Sequence, residues 1–232
     1  MTPKHWLRAA ATAAVFAGIL LAGVVISSTR ARADGQDDEN SKVKIGFEIA
    51  PVHLNLAGKD RELVGLGSYI VNAQADCNGC HTSSPADQYI PSGNPYLLAP
   101  VFKGKKKVNK ATYLGGGNDF GPLAEGSAHI VSRNLTPDRT GLPEGGHTFA
   151  EFHQIMRTGV DFDHRHPTCP PNTVAPSCVP FPFNGALLQI MPWGAFQDMT
   201  DHDLRAIYEY LSAVPCVEGP TDPTNPLHND CP

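Results

Sequence analysis

The chain has 232 residues, of which 23 are acidic and 18 are lysine or arginine, so its formal net charge is −5. This length suits one or two small domains. The first 33 residues hold four basic and no acidic residues, so the rest of the chain carries −9 instead of −5. Because nucleic-acid phosphates repel such an acidic chain, the composition argues against a nucleic-acid-binding function.

Residues 1–33 have the features of an export signal. A basic start precedes an apolar run over 9–26, and the segment ends in Ala31-Arg32-Ala33, which fits the small-residue cleavage pattern. The run is long for a signal, so an uncleaved membrane anchor is the alternative. We favour the cleaved signal, which predicts a periplasmic, bacterial-type protein in which spare cysteines pair.

The residues that follow the signal are predicted to be irregular and then helical. Residues 34–59 are polar and lack a clear period, which indicates a mobile lead-in. The segment DRELVGLGSYIVNAQAD predicts a helix, and its apolar residues recur at helical spacing: Leu63, Leu66, Tyr69 and Ile70. Gly65 and Gly67 inside this helix indicate a close approach of another backbone.

A long loop near 83–128 interrupts the helical pattern. It contains the glycine run Gly115-Gly116-Gly117 and a basic cluster, which we call the lysine cluster: Lys103, Lys105, Lys106, Lys107 and Lys110. The cluster is either a solvated insertion or a docking patch for an acidic partner. The glycine run is not a phosphate-binding loop, because no GK[ST] follows it and no strand–turn–helix pattern frames it.

Two further helices are predicted by their caps. Thr148 and Glu151 form a capping box, and Gly159 stands where that helix is expected to end. A last helix begins after Thr200 and has apolar residues at the i, i+3, i+4 and i+7 positions: Leu204, Ile207, Tyr208 and Leu211. With long loops between few helices, the pattern predicts an all-α domain over 60–215.

The stretch Cys77-Asn78-Gly79-Cys80-His81 is the strongest chemical signal in the chain. A structural zinc site needs a second closely spaced ligand pair, which the remaining cysteines do not supply. A thioredoxin-like redox pair is expected in a βαβ setting, whereas this neighbourhood is helix and loop. CxxCH in an exported chain is the attachment pattern of one covalent c-type haem, with His81 on the iron and thioethers at Cys77 and Cys80.

The opposite face of such an iron needs a second ligand or stays open. Three methionines remain after the signal. Met156 lies on the apolar stripe of a helix and Met199 stands beside a helix cap, so both are expected to be structural. Met191 lies in a loop with Pro192 fixing the backbone behind it, which favours it as the axial ligand. Methionine ligation closes the iron to substrates and suits electron transfer.

Three blocks of the sequence resemble a known family: GSYIVNAQADCNGCHT, SRNLTPDRTGLPEGGHTFAEFHQIMRTGV and MPWGAFQDMTDHDLRAIYEYLSAVP. They are similar to the class I cytochrome c domains of alcohol and gluconate dehydrogenase cytochrome subunits and of stand-alone monohaem cytochromes. The resemblance covers about 67–215, with gaps. It implies an all-α class I cytochrome c fold wrapped on one haem, with His81 and Met191 as axial ligands.

The resemblance also implies how two helices pack. The helix before CxxCH is expected to cross the last helix, with Gly67 and Tyr69 against Tyr208 and Leu211. The chain departs from the family pattern in its insertions near 83–128 and 161–184. Subunits of this kind often carry three such domains, whereas this chain has one.

Four cysteines lie outside CxxCH and allow three pairings. Closure of short loops favours Cys169–Cys178 in the second insertion and Cys216–Cys231 in a C-terminal tail over 216–232. We expect both disulfides to be structural. The alternative is a metal site built by His164 and His166 with Cys169.

The sequence therefore predicts an electron carrier and not an enzyme. Its expected partners are a dehydrogenase that donates electrons and an oxidase or another cytochrome that accepts them. Membrane association would come through a dehydrogenase complex or an uncleaved N-terminus. The alternative function is a haem enzyme whose iron has an open or labile sixth position and acts on peroxide or a sulfur compound.

Overall fold

The computed structural model describes residues 35–97, 105–163, 165–220 and 228–232. The predicted signal over 1–33, Lys103 and His164 lie outside the described residues. The chain divides into two compact units, 1–42 and 43–232. In the first unit, the described residues 35–42 are helical, and Lys42 pairs with Asp38 at 2.6 Å. No helix in the described ranges is long and apolar enough to span a membrane.

The predicted helix before CxxCH is present as α2, Arg61–Tyr69, and continues as a π-helical turn over Ile70–Gln74. Asp60 caps it, because its carboxylate accepts the backbone N–H of Glu62 at 2.9 Å. The sequence pattern does not show the π turn, in which the backbone bonds extend one residue further.

The last predicted helix is α7, Asp201–Leu211, capped by the Thr200 side chain. Helices α2 and α7 pack against each other, as the resemblance implies. A Cβ on Gly67 would lie 1.9 Å from the Ala206 carbonyl oxygen and 2.8 Å from Tyr210, so only glycine fits. The residues nearest Gly67 are therefore Ala206 and Tyr210 and not the predicted Tyr208 and Leu211, since sequence spacing does not set the crossing point.

The expectation of an irregular lead-in over 34–59 is wrong for residues 35–49, which are helical and which we call α1. From Val43 onward, α1 packs on α2, because a Cβ on Gly46 would lie 1.9 Å from the Gly65 carbonyl oxygen. Two apolar side chains, Val43 and Phe47, pack on the core. Glycine has low helix propensity, so this packing overrides the local signal.

The short helix Cys77–Cys80, α3, follows α2 and its π turn, and Pro143–Gly146 forms a further short turn, α4. Helix α5, Phe149–Thr158, has the predicted Thr148–Glu151 capping box and ends at Gly159, whose φ is 70°. Short α6, Trp193–Phe196, packs on α5, and α5 also packs on α7. The predicted core stripe of α7 is buried.

The fold is mostly helical, yet the strictly all-α prediction is wrong in one place. Strands β1, Asp119–Pro122, and β2, His129–Val131, form a two-stranded antiparallel sheet with an irregular register. Their brevity and the Gly121-Pro122 end of β1 leave no alternating pattern to read. The architecture is compatible with a cytochrome c-like fold.

Both predicted disulfides, Cys169–Cys178 and Cys216–Cys231, are present. The first closes the insertion, which backbone pairings of Val160 with Leu187 and of Thr168 with Val179 hold in place. In the tail, Asn229 donates to the carbonyls of Thr136 and Pro137 at 3.1 and 2.9 Å. The tail thereby supports the NLTPD segment, Asn134 to Asp138.

Candidate functional site

A cavity of about 930 Å³ lies between the CxxCH segment and the helical core. This volume is at the upper end of the range typical of small-molecule and cofactor sites. Cys77, Cys80, His81 and Met191 all line it. Much of the wall is apolar, and its contributors include Leu135, Phe152, Met156, Ile207 and Leu211. The structure thus brings together all four predicted site residues around one space.

The α3 turn is fixed by contacts inside and outside CxxCH. Asp76 before it is left-handed, with φ 44°, and a Cβ on Gly79 would lie 2.7 Å from the Asp76 carboxylate, so a larger residue would displace that side chain. The buried Asn78 side chain accepts the Leu114 N–H at 2.9 Å. These contacts favour Asn and Gly at the two positions between the cysteines.

Cys77 and Cys80 are the two cysteines without a disulfide, and all six cysteines lie in the described ranges. Burial, with the nearby Asp76 charge, raises the pKa of Cys77 to about 12 and also raises the pKa of Cys80. A catalytic redox dithiol needs a lowered thiol pKa instead. This environment therefore disfavours the dithiol alternative.

The His81 ring is held in one tautomer. Its Nδ1 lies 2.8 Å from the Arg133 carbonyl oxygen, and since a carbonyl only accepts, Nδ1 carries the hydrogen and donates. Burial lowers the pKa of His81, the bond to the Arg133 carbonyl opposes this and the Arg133 charge adds to it, so the pKa lies below its usual value and the ring is neutral at neutral pH. The Nε2 lone pair is then the one suited to a metal, and the carbonyl bond raises its basicity.

Two main-chain groups that hold His81, the Arg133 carbonyl and the Gly116 N–H, were not predicted from the sequence. Gly116 has φ 69°, and a Cβ on it would lie 2.3 Å from the Arg133 carbonyl carbon. Its N–H donates to the His81 carbonyl at 3.1 Å. The glycine run therefore holds the backbone around His81 in place. A main-chain acceptor leaves no residue-type signal, although the three consecutive glycines indicate a close approach.

Three methionines differ in where they lie. Met191 and Met156 both line the cavity, and Met156 is also buried in the core, as expected. Met199 packs on the core and is absent from the cavity wall. The Met191 loop is held through Gly159, whose carbonyl accepts the Leu188 N–H at 2.7 Å, and through Trp193, which packs over that glycine.

One region of the cavity wall is charged, and we call it the charged cluster: Arg133, Glu144, Asp161, Asp163 and Arg165. Arg133 forms ion pairs with both aspartates. Burial raises the pKa of Glu144 to about 7, with Arg133 opposing and the two aspartates adding to the rise. The predicted second insertion therefore forms part of the cavity wall, and its role is wider than loop closure.

The lysine cluster lies away from the cavity wall. None of its described members, Lys105, Lys106, Lys107 and Lys110, lines the cavity. All four are exposed, and Lys106 donates to the Asn72 carbonyl at 3.3 Å. Its role in docking stays a prediction.

The alternative metal site in the second insertion lacks a ligand, because the sulfur of Cys169 is in a disulfide. His166 lines the cavity, and His164 is outside the described residues. Within those residues, no group of three or more His, Cys, Asp or Glu side chains is placed to hold a metal ion. The donor set thus disfavours both this site and structural zinc at CxxCH.

Comparison with known proteins agrees with the motif. The chain is 27% identical over 180 residues to the cytochrome c subunit of a quinone alcohol dehydrogenase from Gluconacetobacter polyoxogenes, covering 74% of this chain and 27% of the relative. It is 23% identical to the fructose dehydrogenase cytochrome subunit of Gluconobacter japonicus, covering 75% and 26%. No protein-family model and no solved structure matches the chain.

The chain spans about a quarter of the length of these curated relatives, as their coverage of 27% and 26% shows. Both relatives are cytochrome subunits of dehydrogenases, which supports an electron-transfer role. Over about three quarters of its own length, the chain therefore resembles dehydrogenase cytochrome subunits.

Proposed function

We propose that this chain is a periplasmic monohaem cytochrome c that carries single electrons between a dehydrogenase and an oxidase or another cytochrome. The main support for the proposal is that one cavity is lined by four suitable side chains. They are the two unpaired thiols of Cys77 and Cys80, the neutral, oriented ring of His81 and the thioether of Met191. The cytochrome relatives support the same class of function.

The residues present fit one haem. Cys77 and Cys80 are three positions apart on one turn and would hold it by thioethers, while His81 Nε2 would bind the iron. Met191 is the proposed opposite ligand, and the apolar wall suits the macrocycle. Arg133 and Arg165 are the basic side chains of the cavity wall that would interact with the carboxylates that haem carries, in competition with Asp161 and Asp163.

The bound haem would supply a reversible one-electron couple. The protein would do the rest. The Arg133 carbonyl orients His81, the apolar side chains exclude water, and the second insertion walls one part of the cavity. The exposed Cys80 marks an edge near the surface through which electrons would pass to a partner.

We further propose that residues 60–215 form the cytochrome domain and that 1–33 are removed on export. The named relatives are dehydrogenase subunits, and a dehydrogenase is accordingly the proposed donor. The sequence contains a single CxxCH, which argues for one haem.

The test is expression with export and haem-attachment machinery, followed by mass spectrometry and haem staining of the denatured protein. We expect one haem per chain, lost in Cys77→Ala/Cys80→Ala and retained in the control Cys169→Ala/Cys178→Ala. The ferric protein should show the weak near-red band of His–Met ligation. A haem that stays covalent in the first variant contradicts the attachment site, and a high-spin spectrum would favour the enzyme alternative.

A further inference from the structure

Glu144 is a buried carboxyl group that the electron-carrier proposal does not use. The residue is 5% exposed, and Oε2 is buried with no hydrogen-bond partner among the described residues. Its backbone is left-handed, with φ 54°, which costs about 1–2 kcal/mol for a residue with a Cβ. An ionisable side chain at a strained, buried position on a cavity wall needs a functional explanation.

The surroundings of Glu144 separate it from the other acids of the charged cluster. Asp161 and Asp163 are both paired with Arg133, which leaves one net negative charge on these three groups, whereas Oε2 of Glu144 has no partner among the described residues. Glu144 is affected by this arginine and by both aspartates, and burial dominates, raising its pKa to about 7. Glu144 therefore changes protonation state near neutral pH.

Other charged and titratable groups share this wall and must be considered. Arg165 and His147 lie close to Asp163, the latter at 3.9 Å, and the rest of the cavity wall contributes Asp76, His81, His129 and His166. The Asp163 side chain is 42% exposed, so it connects the cluster with water. Solvent protons thus reach the edge of the cluster without crossing the core.

We propose that Glu144 is a redox-linked proton acceptor, which takes up one proton from water when an electron enters the cavity cofactor and releases it when the electron leaves. This inference rests on the proposed function. The electron comes from the dehydrogenase partner. The carboxylate of Glu144 gains an O–H bond, and hydronium gives up that proton. One negative and one positive charge enter together, so the net charge of the cavity stays constant.

The sign of the pH dependence follows. Added electron density disfavours the Glu144 anion, so the reduced protein binds the proton more tightly than the oxidised protein. The midpoint potential therefore falls as pH rises from the pKa of Glu144 in the oxidised protein to its higher pKa in the reduced protein. For one electron and one proton, a tenfold change in proton concentration shifts the midpoint potential by at most about 59 mV.

The experiment is a spectroelectrochemical titration of the holoprotein from pH 5 to pH 9. We expect a sloping region near neutral pH in the parent and a flat line there in Glu144→Gln. The exposed control Glu125→Gln removes one carboxylate away from the cavity and should keep the parental slope. An unchanged slope in Glu144→Gln would overturn the proposal and assign the proton to a haem carboxylate or another group.

A second variant protects the test against misfolding of Glu144→Gln. Asp163→Asn removes a half-exposed negative charge that disfavours the Glu144 anion, so the sloping region should move to lower pH. Reduced-minus-oxidised infrared spectra should show a carboxylic acid band that Glu144→Gln lacks. A parent with a reversible haem couple but no slope refutes this inference alone, whereas a protein without haem refutes the proposed function.

Discussion

The two sides of the cavity are held in different ways. On the His81 side, the Arg133 carbonyl, the Gly116 N–H and the Asn78–Leu114 bond fix the turn from two other segments, 114–116 and the one around Arg133. On the Met191 side, the loop is held before the methionine by the Leu188–Gly159 bond and the Val160–Leu187 pairing, and Ile190 next to the methionine is 46% exposed with φ 67°. His81 is thus bonded directly to other segments, whereas the backbone bonds of Met191 among the described residues are local, to Gln189 and Trp193.

This difference has a consequence for redox chemistry. A braced histidine keeps its orientation in both oxidation states, while a lightly anchored thioether is the ligand expected to exchange first. Residues of the second insertion, among them Pro176 and Val179, line the cavity, and the Cys169–Cys178 disulfide closes that insertion. Substitutions on the two sides should therefore have distinct spectroscopic effects.

The largest effect is expected from Met191→Ala. Loss of the thioether should lower the midpoint potential, abolish the near-red band and let cyanide or imidazole bind. Met156→Ala is the matched control on the same cavity, and it should mainly cost stability, about 2–5 kcal/mol. Ligand titrations followed by absorption, with denaturant unfolding, separate the two. If Met156→Ala changes the spin state and Met191→Ala does not, the ligand assignment is wrong.

The next effect should come from the anchor of the methionine loop. In Gly159→Ala, the new Cβ would lie 2.3 Å from Trp193, and φ 70° adds strain. We expect displacement of the indole and partial loss of the near-red band, without loss of covalent haem. Gly194→Ala, where nothing lies within 4 Å of the new Cβ, is the control and should leave the band intact. Equal bands in both variants would show that Met191 has further support.

Local patterns made much of this fold predictable. The Thr148–Glu151 capping box and the apolar stripe of α7 depend on residues within one helix, and the disulfide pairs close short loops. A close backbone approach at Gly65 was predicted, but its partner Gly46 was not, because the packing joins two segments through their backbones.

The same distinction applies to the site. CxxCH and Met191 are visible as residue types, whereas the main-chain acceptor at Arg133 and the burial of Glu144 exist only after folding. The β1–β2 hairpin was missed because strands this short carry no usable period.

A smaller effect is expected on the histidine side. Gly116→Ala forces a Cβ towards the Arg133 carbonyl and should weaken the bond from His81 Nδ1, which makes the imidazole a poorer donor. We expect a higher midpoint potential with His–Met ligation retained. Gly121→Ala has a similar φ of 79° and no atom within 4 Å of the new Cβ, so it controls for strain of about 1–2 kcal/mol. Matching potentials in the two variants would contradict the role of Gly116.

The smallest effect concerns the lysine cluster, one described member of which contacts the segment that precedes CxxCH. Lys106 bonds the Asn72 carbonyl in the π turn that leads to CxxCH, and Lys105 beside it is exposed. If these charges steer an acidic partner, the electron-transfer rate should fall as salt rises, because screening shortens to about 8 Å at 0.15 M. Lys105→Gln/Lys106→Gln should then flatten the salt dependence and leave the haem spectrum unchanged.

A charge-matched control separates steering from net charge. Lys44→Gln/Lys59→Gln removes the same two positive charges at positions that do not line the cavity and precede α2. The measurement is the stopped-flow rate of electron transfer from the donor dehydrogenase. It is repeated across a series of salt concentrations for the parent and for both double variants. A flattened curve for the first variant alone assigns docking to the lysine cluster. Superimposable curves for both would mean that the cluster is a solvated insertion, because only total charge then affects the encounter.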